Sequence, residues 1–347
     1  MRIAVCAAQV PFARGGAEIH VEGLHRALEN AGHQVSIIAL PFKWYPHTSL
    51  LKSALAWRMV DITEADGKPI DLAICTKFPT WAVRHPHKIA WIIHQYRQAY
   101  DWFGTGWSDL TGSPEDLALR RRIQQIDARG LGECTARYTN AQNTANRLKH
   151  YNGLDAEPLY VPVHLEGLGP IENQPYIFSV SRLDRTKRID ILINSIKQLP
   201  SPPQVVIAGD GPEREALERL TGDLGLTDCV RFLGRISDDE VVFHYNRCAA
   251  VYYGPVDEDF GLATLEAFTA GKPVLTVPDS GGVLELVRHE ETGLIADGAT
   301  PEAVAPMLER VLTAPDHLRM MGQAGKLIAD EITWDRVVER LLDGIHG

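Results

Sequence analysis

Residues 249–277 read AAVYYGPVDEDFGLATLEAFTAGKPVLTV, a strand, a loop, a helix and a second strand in succession. The apolar run 249–253 predicts a buried strand, Leu262 opens a helix, and 273–277 predicts the next strand. Near-continuous apolar strands joined by helices belong to a parallel sheet covered on both faces. Two carboxylates bracket seven residues of this unit: Glu258 lies in the loop after the first strand, and Glu266 lies about one turn inside the helix. Leu262 and Glu266 are four apart and so share a helix face. The unsatisfied amides of the first turn and the positive end of the helix dipole suit an anion. Acidic residues also favour helix N-termini for local reasons, so spacing alone leaves a structural and a functional reading open.

Outward from this run the same alternation fills both halves of the chain. In the first half it predicts strands at 2–7, 34–40, 70–75, 89–93, 137–140 and 159–163, with helices at 17–31, 114–134 and 144–151. In the second half it predicts strands at 176–180, 204–208, 230–233, 249–253 and 273–277. Between the halves, 164–175 carries Gly167, Gly169, Pro170 and Pro175 and reads as a linker. The expected fold class is α/β, with two doubly wound Rossmann-like domains, 1–163 and 176–332, and a terminal helix within 333–347. Such sheets bind ligands outside their strand C-terminal ends, and two facing lobes would place the ligand in the cleft between them.

Composition narrows the function classes. A chain of 347 residues, 45% of them hydrophobic, is long enough for two cores. Formal charge is +3 over residues 1–163 and −13 over the remainder, with no basic stripe, which argues against nucleic acid as a partner. A half this acidic must keep local cations wherever it binds a polyphosphate, so the basic loop Arg182-Leu183-Asp184-Arg185-Thr186-Lys187-Arg188 stands out. The five cysteines form no close pair and point to reduced thiols and a cytoplasmic location. No window of the sequence approaches a membrane span.

The Glu258 to Glu266 run, with Gly271-Lys272-Pro273 and Gly281-Gly282-Val283-Leu284-Glu285 after it, resembles the signature of the group 1 family of retaining glycosyltransferases of the GT-B fold. The resemblance is strong over the second half and thinner over the first, where Gly15-Gly16, His94 and 139–151 carry it. It implies an acceptor-binding first domain, a second domain that binds a nucleotide diphosphate sugar (UDP- or GDP-linked), and a last helix that crosses back to the first domain. It also implies a glycan or lipid-linked acceptor in surface glycan or glycolipid synthesis, and no metal or cofactor beyond the donor.

Residue by residue, the resemblance implies that Arg182 and Lys187 hold the diphosphate, where fixed cations stabilise the charge that builds on the leaving group. Arg188 stands where the family commonly has glycine. Glu258 and the backbone of Phe260 and Gly261 would hold hydroxyls of the transferred sugar, Leu262 and its neighbours would offer helix amides, and Glu266 would accept the ribose hydroxyls. Gly211, Arg235 and Ile236 fall in strand-end loops near the nucleobase. In the first domain Gly15 and Gly16 resemble the donor-phosphate loop, and His94 the histidine that contacts the donor sugar, although Gln95 follows where Asp is common. The catalytic set so implied is Glu258, Arg182, Lys187 and His94. Asp257-Glu258-Asp259 would hold a divalent metal in a different glycosyltransferase fold, but here it sits inside the family motif.

Two further surfaces suggest an acceptor or a membrane. The segment 96–107 is aromatic and glycine-bearing and reads as an acceptor loop, and Arg120-Arg121-Arg122 suits either solvent or peripheral contact with anionic head groups at the inner membrane surface. A sugar-nucleotide epimerase of the same architecture and a catalytically silent nucleotide-sugar-binding protein are the alternatives.

Overall fold

The computed structural model describes residues 1–12, 15–171 and 173–344. The chain divides into two compact units, Met1–Val161 with Thr333–Gly347, and Pro162–Ile332.

In the first unit β1 (Arg2–Gln9), α1 (Gly16–Asn30), β2 (Gln34–Pro41) and α2 (Thr48–Met59) are followed by β3 (Leu72–Lys77), β4 (Lys88–His94), α3 (Pro114–Gly132), β5 (Ala136–Thr139), α4 (Gln142–Asn152) and β6 (Glu157–Pro158). A two-residue ribbon, Glu64–Ala65 against Lys68–Pro69, stands outside the sheet. The sheet is parallel throughout, in the order β2-β1-β3-β4-β5-β6. All six residues of β3 are buried, as expected for a central strand covered on both faces. The helix predicted at 17–31 forms as α1. It stops where Gly32, at φ 87°, adopts the left-handed conformation that ends helices at little steric cost.

The expected strand at 159–163 does not form, and the sheet ends instead on Glu157–Pro158. The Leu159 amide still bonds to the Thr139 carbonyl, but the Leu159 carbonyl accepts from Trp91 Nε1 at 2.9 Å, and Pro162 has no amide to donate.

The second unit runs β7 (Tyr176–Val180), α5 (Ile189–Lys197), β8 (Gln204–Ala208), α6 (Arg214–Asp223), β9 (Val230–Gly234), α7 (Asp238–Arg247), β10 (Ala250–Tyr252), α8 (Leu262–Thr269), β11 (Val274–Thr276), β12 (Gly293–Ile295), α9 (Pro301–Thr313) and α10 (Pro315–Asp330). Its parallel order, β9-β8-β7-β10-β11-β12, is that of a doubly wound Rossmann-like sheet, and the order reverses between β7 and β10.

The final helix, α11 (Trp334–Asp343), packs on the first unit. Trp334 lies edge-on to Trp91 at 6.1 Å, and a Cβ on Gly23 of α1 would meet the Trp334 ring at 2.4 Å. Tyr138 donates to the Arg340 carbonyl at 2.9 Å, and the Arg340 guanidinium pairs with Glu157. Residues 345–347 of the expected terminal segment lie outside the described residues, as do Ala13 and Arg14 of the Gly15-Gly16 loop and Glu172 of the linker.

Candidate active site

The strand reversal in the second unit places the loops after β7 and β10 side by side, and these loops hold the residues singled out above. Lys187 ends the first loop and Glu258 sits in the second. Lys187 Nζ pairs with Glu258 Oε2 and lies 3.3 Å from the Tyr253 hydroxyl, which itself donates to Glu258 Oε2 at 2.8 Å. Burial works to raise the Glu258 carboxyl, and the ammonium beside it overrides burial and holds it below the ordinary carboxylate range. Burial likewise works against the charged Lys187, but Tyr253 and Glu258 hold its ammonium above the ordinary lysine range. The pair therefore stays ionised across neutrality. An ammonium has three donors, and Glu258 and Tyr253 take two of them.

The Glu258 loop is zipped onto the chain after β11. Asp257 N donates to the Asp279 carbonyl at 2.8 Å, Glu258 N to Ser280 at 3.1 Å, and Gly282 N returns to the Glu258 carbonyl at 2.8 Å. That approach explains the Gly281-Gly282 pair. A Cβ on Gly281 would stand 2.5 Å from the Glu258 carbonyl oxygen, and one on Gly282 would stand 2.1 Å from that of Asp259.

Arg188, where the family commonly has glycine, is indeed left-handed at φ 51°. Its guanidinium binds both Asp279 oxygens, at 2.9 and 2.7 Å, and the Gly254 carbonyl at 2.9 Å, so it ties the β7 loop to the β10 loop. Arg182 is exposed, and among the described residues its guanidinium meets no protein partner.

Past Glu258, Phe260 is buried and Gly261 at φ 83° is the N-cap of α8. No side chain caps this terminus and no acidic residue stands in its first turn, so the dipole and the leading amides, Leu262 first, are left for a ligand. One turn further, Glu266 is buried and accepts from the Tyr245 hydroxyl at 2.8 Å. Burial pushes its carboxyl up to about 7. Glu258 and Glu266 are thus driven apart by their surroundings, the first fixed as an anion and the second poised to take a proton near neutrality.

Gly211 and Arg235 follow β8 and β9 at the same sheet end. Leu183 N donates to the Asp210 carbonyl at 3.0 Å and Gly209 N to the Gly234 carbonyl at 2.8 Å, so these loops line up beside the Arg182 loop. Arg235 is exposed and Ile236 half-buried.

Gly15, Gly16 and His94 lie in the first unit, at the C-terminal ends of β1 and β4. Gly15 N donates to Glu18 Oε2 at 3.0 Å, and Glu18 Oε1 accepts from Lys77 at 3.0 Å. The Gly15 amide expected to meet a phosphate is therefore engaged by a carboxylate of its own helix. His94 is half-buried at the end of β4, opposite Lys77 in the strand register. Gln95 is fully buried and donates to Asn152 at 2.8 Å, beside Asp127, which also holds the Trp81 indole and the Tyr100 hydroxyl. The basic triplet splits: Arg120 bonds the Ala99 carbonyl and lies over Phe103, while Arg121 and Arg122 are exposed. Among the described residues no cluster of three or more His, Cys, Asp or Glu could hold a metal ion.

Reading residues singly left out Tyr253, Tyr245 and Asp279. The available signal was positional, since Tyr253 directly follows a strand at the reversal point. Tyr245, on α7, carries no such positional signal.

Two doubly wound units, the second with a cation, a carboxylate and an open helix terminus at its reversal point, give the chain the GT-B fold. Residues 164–327, just under half of the chain, match the family model of glycosyl transferases group 1. A GDP-mannose-dependent alpha-(1-6)-phosphatidylinositol monomannoside mannosyltransferase of Mycobacterium tuberculosis is 33% identical over 185 residues, which is 50% of this chain and 48% of the relative. The match thus spans about half the length of that relative. An uncharacterised glycosyltransferase of Methanocaldococcus jannaschii is 22% identical over 95% of this chain and 93% of its own. Among solved structures, sucrose-phosphate synthase from Thermosynechococcus elongatus has a TM-score of 0.78 at 20% identity, covering 98% of this chain and 97% of its own. Anabaena HepE in complex with UDP-glucose has a TM-score of 0.71 at 17% identity, covering 98% and 99%.

Proposed function

We propose that the protein moves a sugar from a nucleotide diphosphate sugar to an acceptor hydroxyl, with retention of anomeric configuration and without a metal. The observation that supports this most is the ionised Lys187–Glu258 pair, bridged by Tyr253, at the strand reversal beside the uncapped terminus of α8. In this reading the third Lys187 donor, the Arg182 guanidinium and the α8 amides take the diphosphate. Glu258, with the Phe260-Gly261 backbone, holds sugar hydroxyls, and Glu266 holds those of the ribose. Gly211, Arg235 and Ile236 border the base. In the first unit, His94 is assigned to the donor sugar, while the Gly15 amide, engaged by Glu18, leaves the Gly15-Gly16 loop outside the phosphate site.

The bond from the anomeric carbon to the diphosphate breaks as the acceptor oxygen bonds to the same face, and the departing phosphate oxygen takes the acceptor proton. The residues position the reactants and neutralise charge. Glu258 is committed to Lys187, which favours this route over a covalent carboxylate.

The mannosyltransferase relative makes GDP-mannose the first donor to test, and HepE makes UDP-glucose the second. The relative's acceptor also favours a lipid-linked acceptor and peripheral work at a membrane surface. The protein is incubated with each donor and with candidate acceptors, with and without EDTA, and free nucleotide and sugar stereochemistry are followed. Glycoside formation that survives the chelator is expected. Epimerised donor without glycoside would replace transfer by epimerisation, and donor binding without turnover would make the protein a silent binder.

A further inference from the structure

The first unit carries a surface that none of the assignments above uses. From residue 30 to residue 60 the chain has no Asp or Glu, although carboxylates are plentiful elsewhere. This stretch contains the edge strand β2, the loop 42–47 and α2. Within it Trp44 (37%), Tyr45 (60%), Leu55 (59%) and Met59 (76%) are large apolar side chains left in solvent.

Helical spacing organises the exposed part. Leu50, Ala54 and Trp57 of α2 face the core, while Thr48, Lys52, Leu55, Ala56 and Met59 form the outward stripe over three turns. An outward stripe on a soluble domain is ordinarily charged, and here it is apolar with one cation. The loop leading into α2 adds Trp44 and Tyr45, ring to ring at 5.4 Å, with the Lys43 ammonium 4.9 Å from the Tyr45 ring centroid.

Charge selects the occupant. Arg58 is neutralised by Glu133, so Lys43 and Lys52 are the cations this face presents. Two copies meeting through it would set like charges against each other, whereas an anionic lipid surface complements them. Trp and Tyr suit the head-group layer because each has an apolar body and a polar tip, and lysine stems extend to the charged head groups. Two of the other exposed apolar side chains, Met320 and Leu327 on α10, stand on a helix that also carries Asp316 and Asp330.

We infer that Trp44, Tyr45, Leu55 and Met59, flanked by Lys43 and Lys52, dock the first unit on a membrane surface of anionic lipid. This rests on the peripheral-membrane part of the proposed function and names the surface responsible.

The test is co-sedimentation of the full chain with phosphatidylcholine vesicles, with and without phosphatidylglycerol. Wild type is expected to partition onto the anionic vesicles and to be released by salt. Replacing Lys43 and Lys52 together by Gln should lower partitioning about ten-fold or more, since each basic residue near such a surface contributes on the order of 1 kcal/mol. Trp44→Ser with Tyr45→Ser, and Leu55→Ser with Met59→Ser, should each lower it at least as far. Leu327→Ser should leave it unchanged. All these side chains are exposed, and circular dichroism confirms that each variant folds. If wild type binds and the patch variants bind equally, the surface is wrong while the membrane reading survives. If wild type does not bind anionic vesicles, both fail. A concentration-dependent dimer in light scattering that the patch variants dissolve would assign the face to a second copy and overturn the inference.

Discussion

Each unit sets a lysine against a glutamate at the point where its strand order reverses, Lys77 buried and Lys187 half-buried, and the two pairs are used differently. In the first unit Lys77, at the end of β3, meets Glu18, whose other oxygen closes on the Gly15 amide at the start of α1. The helix terminus supplies its own anion. In the second unit Lys187 meets Glu258, which lies in the loop ahead of α8, and no side chain caps that helix. The same two residue types therefore close one terminus and leave the other available. An anion-binding site needs unsatisfied amides as well as a cation, and on that contrast the proposed diphosphate site falls in the second unit.

Removing the two lysines separately tests this contrast and should give the largest effects. Lys187→Ala takes a phosphate donor from the proposed site and leaves the half-buried Glu258 beside Tyr253 with its ion partner gone. Loss of one such donor typically costs about 10²–10³ in rate, so kcat/KM should fall at least that far. Lys77→Met should instead cost about 2 kcal/mol or more in denaturant unfolding, because it strands Glu18, and should leave the nucleotide dissociation constant within a few-fold of wild type. Calorimetric titration with GDP and UDP measures the second quantity. Equal losses of nucleotide affinity in both variants would erase the distinction between the units.

The carboxylates of the second unit extend the comparison to pH. The fold favours the neutral form of Glu266, whose carboxyl burial pushes up to about 7. Its contribution to stability is fully present below the unfolded value of about 4.3 and is lost as pH rises through about 7, a difference on the order of 3 kcal/mol. Glu258 has the opposite sign. Lys187 holds its carboxyl below the ordinary range, so its contribution is present above about 4.3 and is lost as pH falls through the lower folded-state value. Ribose hydroxyls are donors and strengthen the ionised Glu266, so nucleotide binding should release a proton near neutrality and weaken several-fold from pH 8 to about pH 6. Titrations in buffers of different ionisation enthalpy count that proton. Glu266→Gln should bind about ten-fold more weakly and lose the pH dependence, since a bond to a charged acceptor is worth about 1.5–3 kcal/mol. A variant that keeps the wild-type pH profile would remove Glu266 from the ribose site.

The fold was legible because apolar strands and helices alternate with little ambiguity, and the Glu258 to Glu266 run marked the decisive loop. What escaped was set by partners distant in sequence. Tyr245 and Glu266 are 21 positions apart and meet only once α7 packs beside α8. Asp279 reads as an ordinary turn residue until Arg188 reaches it across 91 positions. The missing strand at 159–163 failed for a similar reason, since Trp91 takes the Leu159 carbonyl from 68 residues away. Propensity cannot register such competition. The engaged Gly15 amide was the reverse case, a local bond to Glu18 three residues on, hidden because Gly-Gly followed by an acid also describes an open phosphate loop.

Gly282→Ala probes the backbone contact that shapes the second site. The added methyl carbon would start 2.1 Å from the Asp259 carbonyl oxygen, so the loop from Asp257 to Gly261 must move. Overpacking of this kind costs about 1–3 kcal/mol, visible as a lower Tm, with nucleotide affinity falling alongside it. Gly16→Ala at the start of α1 should do neither to a comparable degree.

Arg188→Gly should have the smallest effect, because two changes oppose each other. The substitution removes a non-glycine residue from φ 51°, which favours the variant by about 1 kcal/mol. It also deletes the guanidinium that holds Asp279 and the Gly254 carbonyl, a loss of similar size for a bidentate pair with one exposed partner. Stability in denaturant should therefore change by less than about 1 kcal/mol. The released tether runs between the two loops that bring Lys187 to Glu258, so donor KM should rise a few-fold while kcat stays close to wild type. A large loss of stability with unchanged KM would mean that Arg188 holds the sheet edge rather than the site, and that the Lys187–Glu258 geometry is maintained by the Val256 amide on the Thr186 carbonyl, at 2.8 Å, together with the Gly281-Gly282 contact.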